Sequence, residues 1–190
     1  LKRQVGYTLY LPADYETSQT RYPVVYFLHG AYENETTCYS MLQGRNPTYI
    51  IVFPNAGHET MYANHHAGKL QVHDYLVKEL IPHIDATYRT LADREHRIAA
   101  GFSMGGWGAH MLAYKHPELF GAVQSLAGAF HTSEQLDEEL PGAWREMFGK
   151  KHAHFAKYSP RAQLRANVAK LRGRIKIQMY IGGKDYLLPI

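Results

Sequence analysis

Short runs of consecutive apolar residues recur along the chain, and longer stretches of mixed polarity separate them. The runs lie at 5–11, 23–28, 49–53, 97–100, 122–127 and 175–181. A strand with one face in water alternates apolar and polar residues, whereas continuous runs favour strands buried on both faces, as in a parallel sheet. Strands that alternate with helical segments predict an α/β fold, with a mostly parallel sheet flanked by helices.

The clearest helical pattern covers residues 69–88. Its apolar residues recur at every fourth position, which places them on one face of a helix. These residues are Val72, Leu76, Leu80, Ile84 and Tyr88. Pro82 lies inside the pattern and lacks a backbone N–H, so we expect it to kink the helix or to split it in two.

The sequence Gly101-Phe102-Ser103-Met104-Gly105 lies between a predicted strand and a helical segment. A serine with glycine two residues away on each side is typical of a nucleophile elbow, a turn so tight that its flanking positions admit little more than hydrogen. The pattern alone often arises by chance, and the strand and helix around it provide its specificity. Ser103 is therefore the predicted nucleophile.

A nucleophilic serine also needs backbone N–H groups that stabilise negative charge on the substrate oxygen. The residue after the nucleophile usually supplies the first, which is the N–H of Met104. The loop after the strand at 23–28 is expected to supply the second, and there His29-Gly30-Ala31 predicts the N–H of Ala31. An ordinary glycine turn between strand and loop is the alternative interpretation of the same residues.

The acid that orients a catalytic histidine is expected at the end of a later strand, after the nucleophile in sequence. Asp185 follows the run at 175–181 through Gly182-Gly183-Lys184 and fits that position. A solvent-exposed aspartate in a glycine turn is the alternative. Asp137 is a second candidate for the acid, in a less suitable place.

The general base is the missing member of the site. Where a nucleophile elbow carries the serine, the catalytic residues follow the chain order serine, acid, histidine. In this sequence, however, all 12 histidines precede Asp185. We expect His110 and His116 on the helix behind Ser103, facing away from the substrate. Other histidines are expected to line a pocket or the surface: His58, His65, His66 and His131. The catalytic histidine is therefore expected beyond residue 190.

Residues 131–173 interrupt the alternation of strands and helices. They contain acidic, tryptophan-containing and Ala/Arg-rich segments that favour short helices. We expect a helical insert between two strands, able to overhang the active site. No repeat, low-complexity tract or linker divides the chain, so residues 1–190 are predicted to form a single domain.

Composition excludes several other functions. The formal net charge is +4, with no basic run or aromatic–basic stripe that would favour nucleic acid. No apolar run reaches the roughly 18 residues of a membrane span. A single cysteine, Cys38, leaves no intrachain disulfide or Cys-based zinc site within these residues. His65 and His66 are expected to point in different directions, and no carboxylate–His helix spacing accompanies them, so no metal site is predicted.

Six blocks of the chain form a recognisable set: YPVVYFLHG at 22–30, IVFPN at 51–55, ELIPHID at 79–85, GFSMGGWGA at 101–109, HPELF at 116–120 and GGKD at 182–185. Together they resemble the esterase D-type family of the α/β-hydrolase superfamily, nearest its bacterial feruloyl and acetylxylan esterases. The resemblance implies an α/β-hydrolase fold that lacks its last strand and helix within these residues. It also implies Ser103 as nucleophile, Asp185 as acid, and Ala31 with Met104 as oxyanion donors. We further expect substrate contacts from His29, Tyr62, Asn64 and Trp107.

The predicted function is a serine carboxylic ester hydrolase that works through an acyl-enzyme, without a cofactor. Its substrate is expected to be a feruloyl, acetyl or similar ester, either small or linked to a polysaccharide. Its location is expected to be secreted or extracytoplasmic, with a cytoplasmic location as the alternative. Two alternatives stay open. One is an acyltransferase on the same scaffold, and the other is a non-catalytic module that binds carbohydrate or a partner protein.

Overall fold

A computed structural model describes residues 5–42, 44–131, 142–149 and 152–185. Six strands form one sheet: β1 Tyr7–Tyr10, β2 Val24–Leu28, β3 Ile50–Pro54, β4 Arg97–Phe102, β5 Ala122–Leu126 and β6 Lys176–Tyr180. Their order across the sheet is β1-β3-β2-β4-β5-β6. Strand β1 pairs with β3 in the antiparallel direction, and every other pair is parallel. The mostly parallel sheet predicted from the sequence is confirmed.

The described helices comprise α1 Val72–Asp74, a π-helix at Tyr75–Leu80, α2 Ile81–Thr87, α3 Met104–Lys115, α4 Gly142–Phe148, α5 His152–Ala156 and α6 Pro160–Leu171. A short 3-10 helix also covers Cys38–Leu42. Helix α3 directly follows β4 and packs on β4 and β5, and α6 packs against α3. Parallel neighbours such as β5 and β6 need a crossover connection, and α6 lies within it.

Side chains of the central strands alternate between two apolar clusters, one on each face of the sheet. On β2, Val24, Tyr26 and Leu28 join the larger cluster, which also holds the buried residues of the helices. Val25 joins the smaller cluster, and Phe27 packs against it. Because residues two apart share a face of a strand, a strand that is buried on both faces needs apolar residues at nearly every position. This arrangement explains the continuous apolar runs.

Pro82 coincides with a change of helix type, as the sequence led us to expect. The π-helix ends at Leu80, where the N–H of Ile81 donates to the carbonyl oxygen of Leu76, and an α-helix continues from there. Proline has no N–H to donate, and its ring crowds the carbonyl four residues earlier. A wider turn before Pro82 relieves that crowding.

The predicted insert at 131–173 is described only in part. Helices α4 and α5 lie within it, and α6 forms its last portion. Residues 132–141 lie outside the described residues, and Asp137, the second candidate acid, is among them. That the insert overhangs the active site, and that the chain is a single domain, both stay predictions.

Strand β6 lies at one edge of the sheet, beside β5. All of its residues are exposed, and its apolar members include Ile177 and Met179. None of the helices described above is both long and apolar enough to cross a membrane.

Two buried histidines have pKa values well below the ordinary range. Burial lowers the pKa of His73 to about 4 and that of His110 also to about 4. Nε2 of His73 lies 2.9 Å from Nε2 of His116, so at most one of the facing nitrogens carries a proton. His110 is bonded to the hydroxyls of Tyr114 and Ser125. His73 and His110 are therefore neutral in the folded protein at neutral pH.

The free energy of unfolding is expected to fall as the pH decreases from about 6.5 to about 4. In this window the unfolded chain takes up protons at His73 and His110 that the folded protein does not, which favours unfolding. Each histidine contributes at most about 3 kcal/mol. Urea unfolding at several pH values within the window measures the change.

The matched proteins for this test are the double variant His73→Gln/His110→Gln and the variant His58→Gln. The double variant should lose much of the pH dependence. His58 is exposed, so its replacement should leave the slope as in the unaltered protein. Equal slopes in all three proteins would show that the two buried histidines do not cause the effect.

Candidate active site

Ser103 occupies a strained turn between β4 and α3. Its φ is 52° and its ψ is −117°, a combination that costs energy in any residue with a side chain and that clusters at active sites. The neighbouring glycines make the turn possible. A β-carbon on Gly105 would overlap the carbonyl oxygen of Leu28, and one on Gly101 would overlap the carbonyl oxygen of Gly105. The turn is as tight as a nucleophile elbow requires, and its role as one stays a proposal.

The backbone of Ser103 is fixed while its hydroxyl is not engaged. The Ser103 N–H donates to the carbonyl oxygen of Leu126 at 3.0 Å, and its own carbonyl accepts from Trp107 at 3.2 Å and Ala129 at 3.1 Å. The Ser103 side chain makes no capping bond to α3, and no hydrogen bond to it is found in the parts of the chain that the structure describes. A rigid turn thus presents a half-buried hydroxyl.

The two expected oxyanion donors are the backbone N–H groups of Met104 and Ala31. Met104 is the first residue of α3, so its N–H has no acceptor within the helix. The Gly30 carbonyl accepts from Nδ1 of His29 at 2.8 Å. In a planar trans peptide the N–H opposes the carbonyl, so the Ala31 N–H points away from that bond. That the two groups bind an oxyanion remains a proposal.

The loop that carries Ala31 lies against the start of α3. A β-carbon on Gly105 would come within 2.7 Å of the carbonyl oxygen of His29. The Gly30 N–H donates to Oε2 of Glu33 at 2.6 Å, and this bond holds the loop at Gly30. Sequence reasoning missed Glu33, although its position three residues after Gly30 is the signal that could have identified it.

Both ring nitrogens of His29 are hydrogen-bonded within the protein. Its Nε2 accepts from the N–H of Ala56 at 3.2 Å. Its Nδ1 lies 2.8 Å from the Gly30 carbonyl. A carbonyl can only accept, so the proton is on Nδ1 and the ring is neutral. Burial lowers the pKa of His29, which agrees with this tautomer. Since the residue is 1% exposed, the geometry argues against the expected substrate contact.

The other three expected substrate contacts are Tyr62, Asn64 and Trp107. Tyr62 is 0% exposed and Trp107 is 1% exposed, so neither side chain lines an accessible surface. The Tyr62 hydroxyl donates to the His29 carbonyl at 2.8 Å. Asn64 is half-buried, and its Oδ1 accepts from the N–H of Asp74 at 3.1 Å in α1. Tyr62 and Asn64 are therefore hydrogen-bonded within the protein, and Trp107 is packed in its interior.

Asp185 lies just beyond β6, with its N–H bonded to the carbonyl oxygen of Gly182 at 3.0 Å. Strand β6 pairs with β5, and β5 pairs with β4, which leads into Ser103. The carboxyl ends of these parallel strands meet at the same edge of the sheet, where α/β proteins place their ligands. The role of Asp185 as the triad acid stays a proposal.

The structure assigns packing roles to several histidines. All 12 histidines of the chain lie in the described ranges, and none of them is bonded to the Ser103 hydroxyl. His110 and His116 bond elsewhere, as expected for residues behind the nucleophile. The expectation that His65 and His66 point in different directions is wrong, because their rings stack with centroids 4.8 Å apart. Within the described ranges, no three His, Cys, Asp or Glu side chains form a group able to hold a metal ion.

Comparison with known proteins adds a family to this geometry. A family model described as Putative esterase matches residues 1–189. An esterase of Mycobacterium tuberculosis is 36% identical over 131 residues, which cover 65% of this chain and 29% of that protein. The endo-1,4-beta-xylanase/feruloyl esterase of Xylanibacter ruminicola is 31% identical over 151 residues, which cover 68% of this chain and 20% of that protein. The chain spans less than a third of the length of either relative.

A solved structure shares the fold. The fluorophosphonate-binding serine hydrolase F of Staphylococcus aureus superposes with a TM-score of 0.81 and 23% identity, covering 96% of this chain and 74% of that one. The sheet order and the helices described above are therefore those of an α/β-hydrolase fold. Because the family model matches nearly every residue, this chain belongs to the family of esterases described as Putative esterase.

Proposed function

We propose that the protein is a serine carboxylic ester hydrolase with Ser103 as its nucleophile. One observation carries the proposal: a strained elbow presents the Ser103 hydroxyl without a bonding partner in the described ranges. The N–H groups of Met104 and Ala31 lie on the two chain segments that meet there. Family membership supports ester hydrolysis as the reaction class.

In the proposed reaction, Ser103 Oγ attacks the carbonyl carbon of the ester while its proton passes to a histidine base oriented by Asp185. The carbonyl π bond opens, and the N–H groups of Ala31 and Met104 stabilise the negative charge on its oxygen. The base returns the proton to the leaving alcohol as the C–O bond breaks. Water then attacks the acyl group on Ser103 and releases the acid by the same route. The base is assigned only by residue type.

For the substrate, we propose feruloyl, acetyl or similar esters, including those linked to polysaccharides. The name of the Xylanibacter ruminicola relative, which joins xylanase and feruloyl esterase, supports this class. The polysaccharides on which xylanases act lie outside cells, so the proposal includes a secreted or extracytoplasmic location. Comparing kcat/KM for methyl ferulate with that for methyl benzoate tests the acyl group. Equal values would remove the feruloyl preference and leave ester hydrolysis intact.

The nucleophile is tested by covalent labelling of the full-length protein. An alkyl fluorophosphonate phosphonylates an activated serine with loss of fluoride, and peptide mapping by mass spectrometry locates the new bond. We expect one label per molecule, on the peptide that contains Ser103, and protection by methyl ferulate. Ester turnover with the label on another residue, or with no label, would contradict the proposal.

The same preparation separates hydrolysis from acyl transfer. Both reactions share the acyl-enzyme and differ in the acceptor that removes the acyl group. With an added sugar alcohol, a hydrolase should continue to release mainly free acid, whereas an acyltransferase should form mainly the new ester. A protein that neither reacts with the fluorophosphonate nor turns over esters would favour the non-catalytic binding module.

A further inference from the structure

The side chain of Tyr62 lies between the two halves of the candidate active site. Its hydroxyl donates a hydrogen bond to the His29 carbonyl oxygen, 2.8 Å away, in the loop that carries Ala31. Its ring lies against Gly108 of α3, where a β-carbon would come within 2.5 Å of Tyr62 Cδ2. One fully buried side chain therefore touches both the oxyanion loop and the helix that follows the nucleophile.

The backbone at Tyr62 adopts a conformation that this residue type disfavours. Met61 has φ 50° and Tyr62 has φ 55°, and the N–H of Ala63 donates to the carbonyl oxygen of Thr60 at 3.0 Å. Such a turn usually holds glycine or asparagine at its two central positions. Outliers of this kind persist only where the surroundings impose them, and they concentrate at functional sites. The fold thus maintains Tyr62 in place at an energetic cost.

Two consecutive peptide groups of the oxyanion loop are fixed by hydrogen bonds. Tyr62 holds the His29 carbonyl, and the N–H on the other side of that peptide, which belongs to Gly30, donates to Glu33 at 2.6 Å. The next carbonyl, that of Gly30, accepts from the His29 ring at 2.8 Å. The Ala31 N–H opposes this carbonyl and has no acceptor among the described residues. The direction of the Ala31 N–H is therefore set by bonds that begin at Tyr62.

We infer that Tyr62 is a positioning residue that aligns the two oxyanion donors with each other. Its hydroxyl orients the loop that carries Ala31, and its ring sets the spacing between that loop and α3, whose first residue is Met104. The inference rests on the proposed function, because it concerns the oxyanion formed during ester hydrolysis. Since Tyr62 bonds to a carbonyl of the protein, its hydroxyl should matter for the transition state and little for binding of the substrate.

The test is the substitution Tyr62→Phe in the full-length protein. Phenylalanine keeps the ring against Gly108 and removes only the bond to the His29 carbonyl. We expect kcat for ester hydrolysis to fall about tenfold while KM stays within about twofold. An aryl trifluoromethyl ketone, which forms a hemiketal oxyanion with the nucleophile, should bind about tenfold more weakly. Rates are expressed per molecule labelled by fluorophosphonate, so unfolded protein does not count.

Tyr114→Phe is the matched control. It removes another buried tyrosine hydroxyl, bonded to Nδ1 of His110 at 2.8 Å, away from the oxyanion loop. It should lower stability and leave kcat per labelled molecule unchanged. The inference is overturned if Tyr62→Phe keeps its kcat, raises KM alone, or loses no more kcat than Tyr114→Phe. Absence of Ser103 labelling in the unaltered protein would instead overturn the proposed function, and this inference with it.

Discussion

The variant Ser103→Ala is expected to lose ester hydrolysis almost completely, with kcat reduced by about 10⁴-fold or more. Alanine removes the oxygen that would form the acyl bond. Stability should change by less than about 1 kcal/mol. The Ser103 hydroxyl makes no capping bond to α3, and alanine has no more steric difficulty than serine at φ 52°. Kinetics with p-nitrophenyl acetate and urea unfolding measure the two effects.

The variant Ser159→Ala is the matched control, because it should show the opposite pair of effects. The Ser159 side chain caps α6 by accepting from the N–H of Ala162, so its loss should cost about 1 kcal/mol of stability. Ser159 is the N-cap residue of α6 and lies outside the turn at Ser103, so kcat should not change. If Ser103→Ala retained more than about a tenth of the unaltered kcat, Ser103 could not be the nucleophile, whatever its effect on stability.

The need for glycine at Gly101 could be predicted from the sequence because it is local, whereas the crowding at Gly105 comes from Leu28, which is distant along the chain. The crowding that demands glycine at Gly101 comes from Gly105, four residues later. The stripe of Val72, Leu76, Leu80 and Ile84 and the effect of Pro82 on the helix are local in the same sense, and the structure confirms both. The predicted bounds 69–88 are too wide, since the helical segment begins at Val72 and ends at Thr87, with Tyr88 in an extended conformation. A pattern that depends on neighbours along the chain can be read without knowing the fold.

The supporting contacts could not be predicted, because they join residues that are distant in sequence. Tyr62 reaches His29, and its ring accounts for the glycine at Gly108, but no spacing in the sequence indicates either contact. Residue type and proximity to a motif suggested a substrate contact for Tyr62, where burial indicates a structural one. The stacking of His65 on His66 was missed for a different reason: the two residues are adjacent, but His65 begins a turn, where neighbouring side chains need not alternate as they do in an extended strand.

The variant Gly105→Ala is expected to lose about 3 kcal/mol or more of stability, together with its activity. The added methyl group would overlap the Leu28 carbonyl oxygen and would lie 2.5 Å from the Leu28 carbonyl carbon and 2.7 Å from the His29 oxygen. These are backbone atoms at the end of β2, which lies between β3 and β4 in the sheet, so they cannot rotate away as a side chain could. Either α3 moves off the sheet or the oxyanion loop moves off the elbow. Urea unfolding and kcat per labelled molecule report the two outcomes.

Gly142→Ala is the control that separates crowding from the general cost of replacing a glycine. Gly142 is the first residue of α4, and a β-carbon there would meet nothing within 4 Å. Alanine at this position should change stability by less than about 1 kcal/mol, in the stabilising direction if at all. Should Gly105→Ala unfold at the same urea concentration as Gly142→Ala and keep its kcat, the close approach of the elbow to the Leu28 carbonyl would be wrong. The alignment of Ala31 with Met104 depends on that approach, so it would be wrong as well.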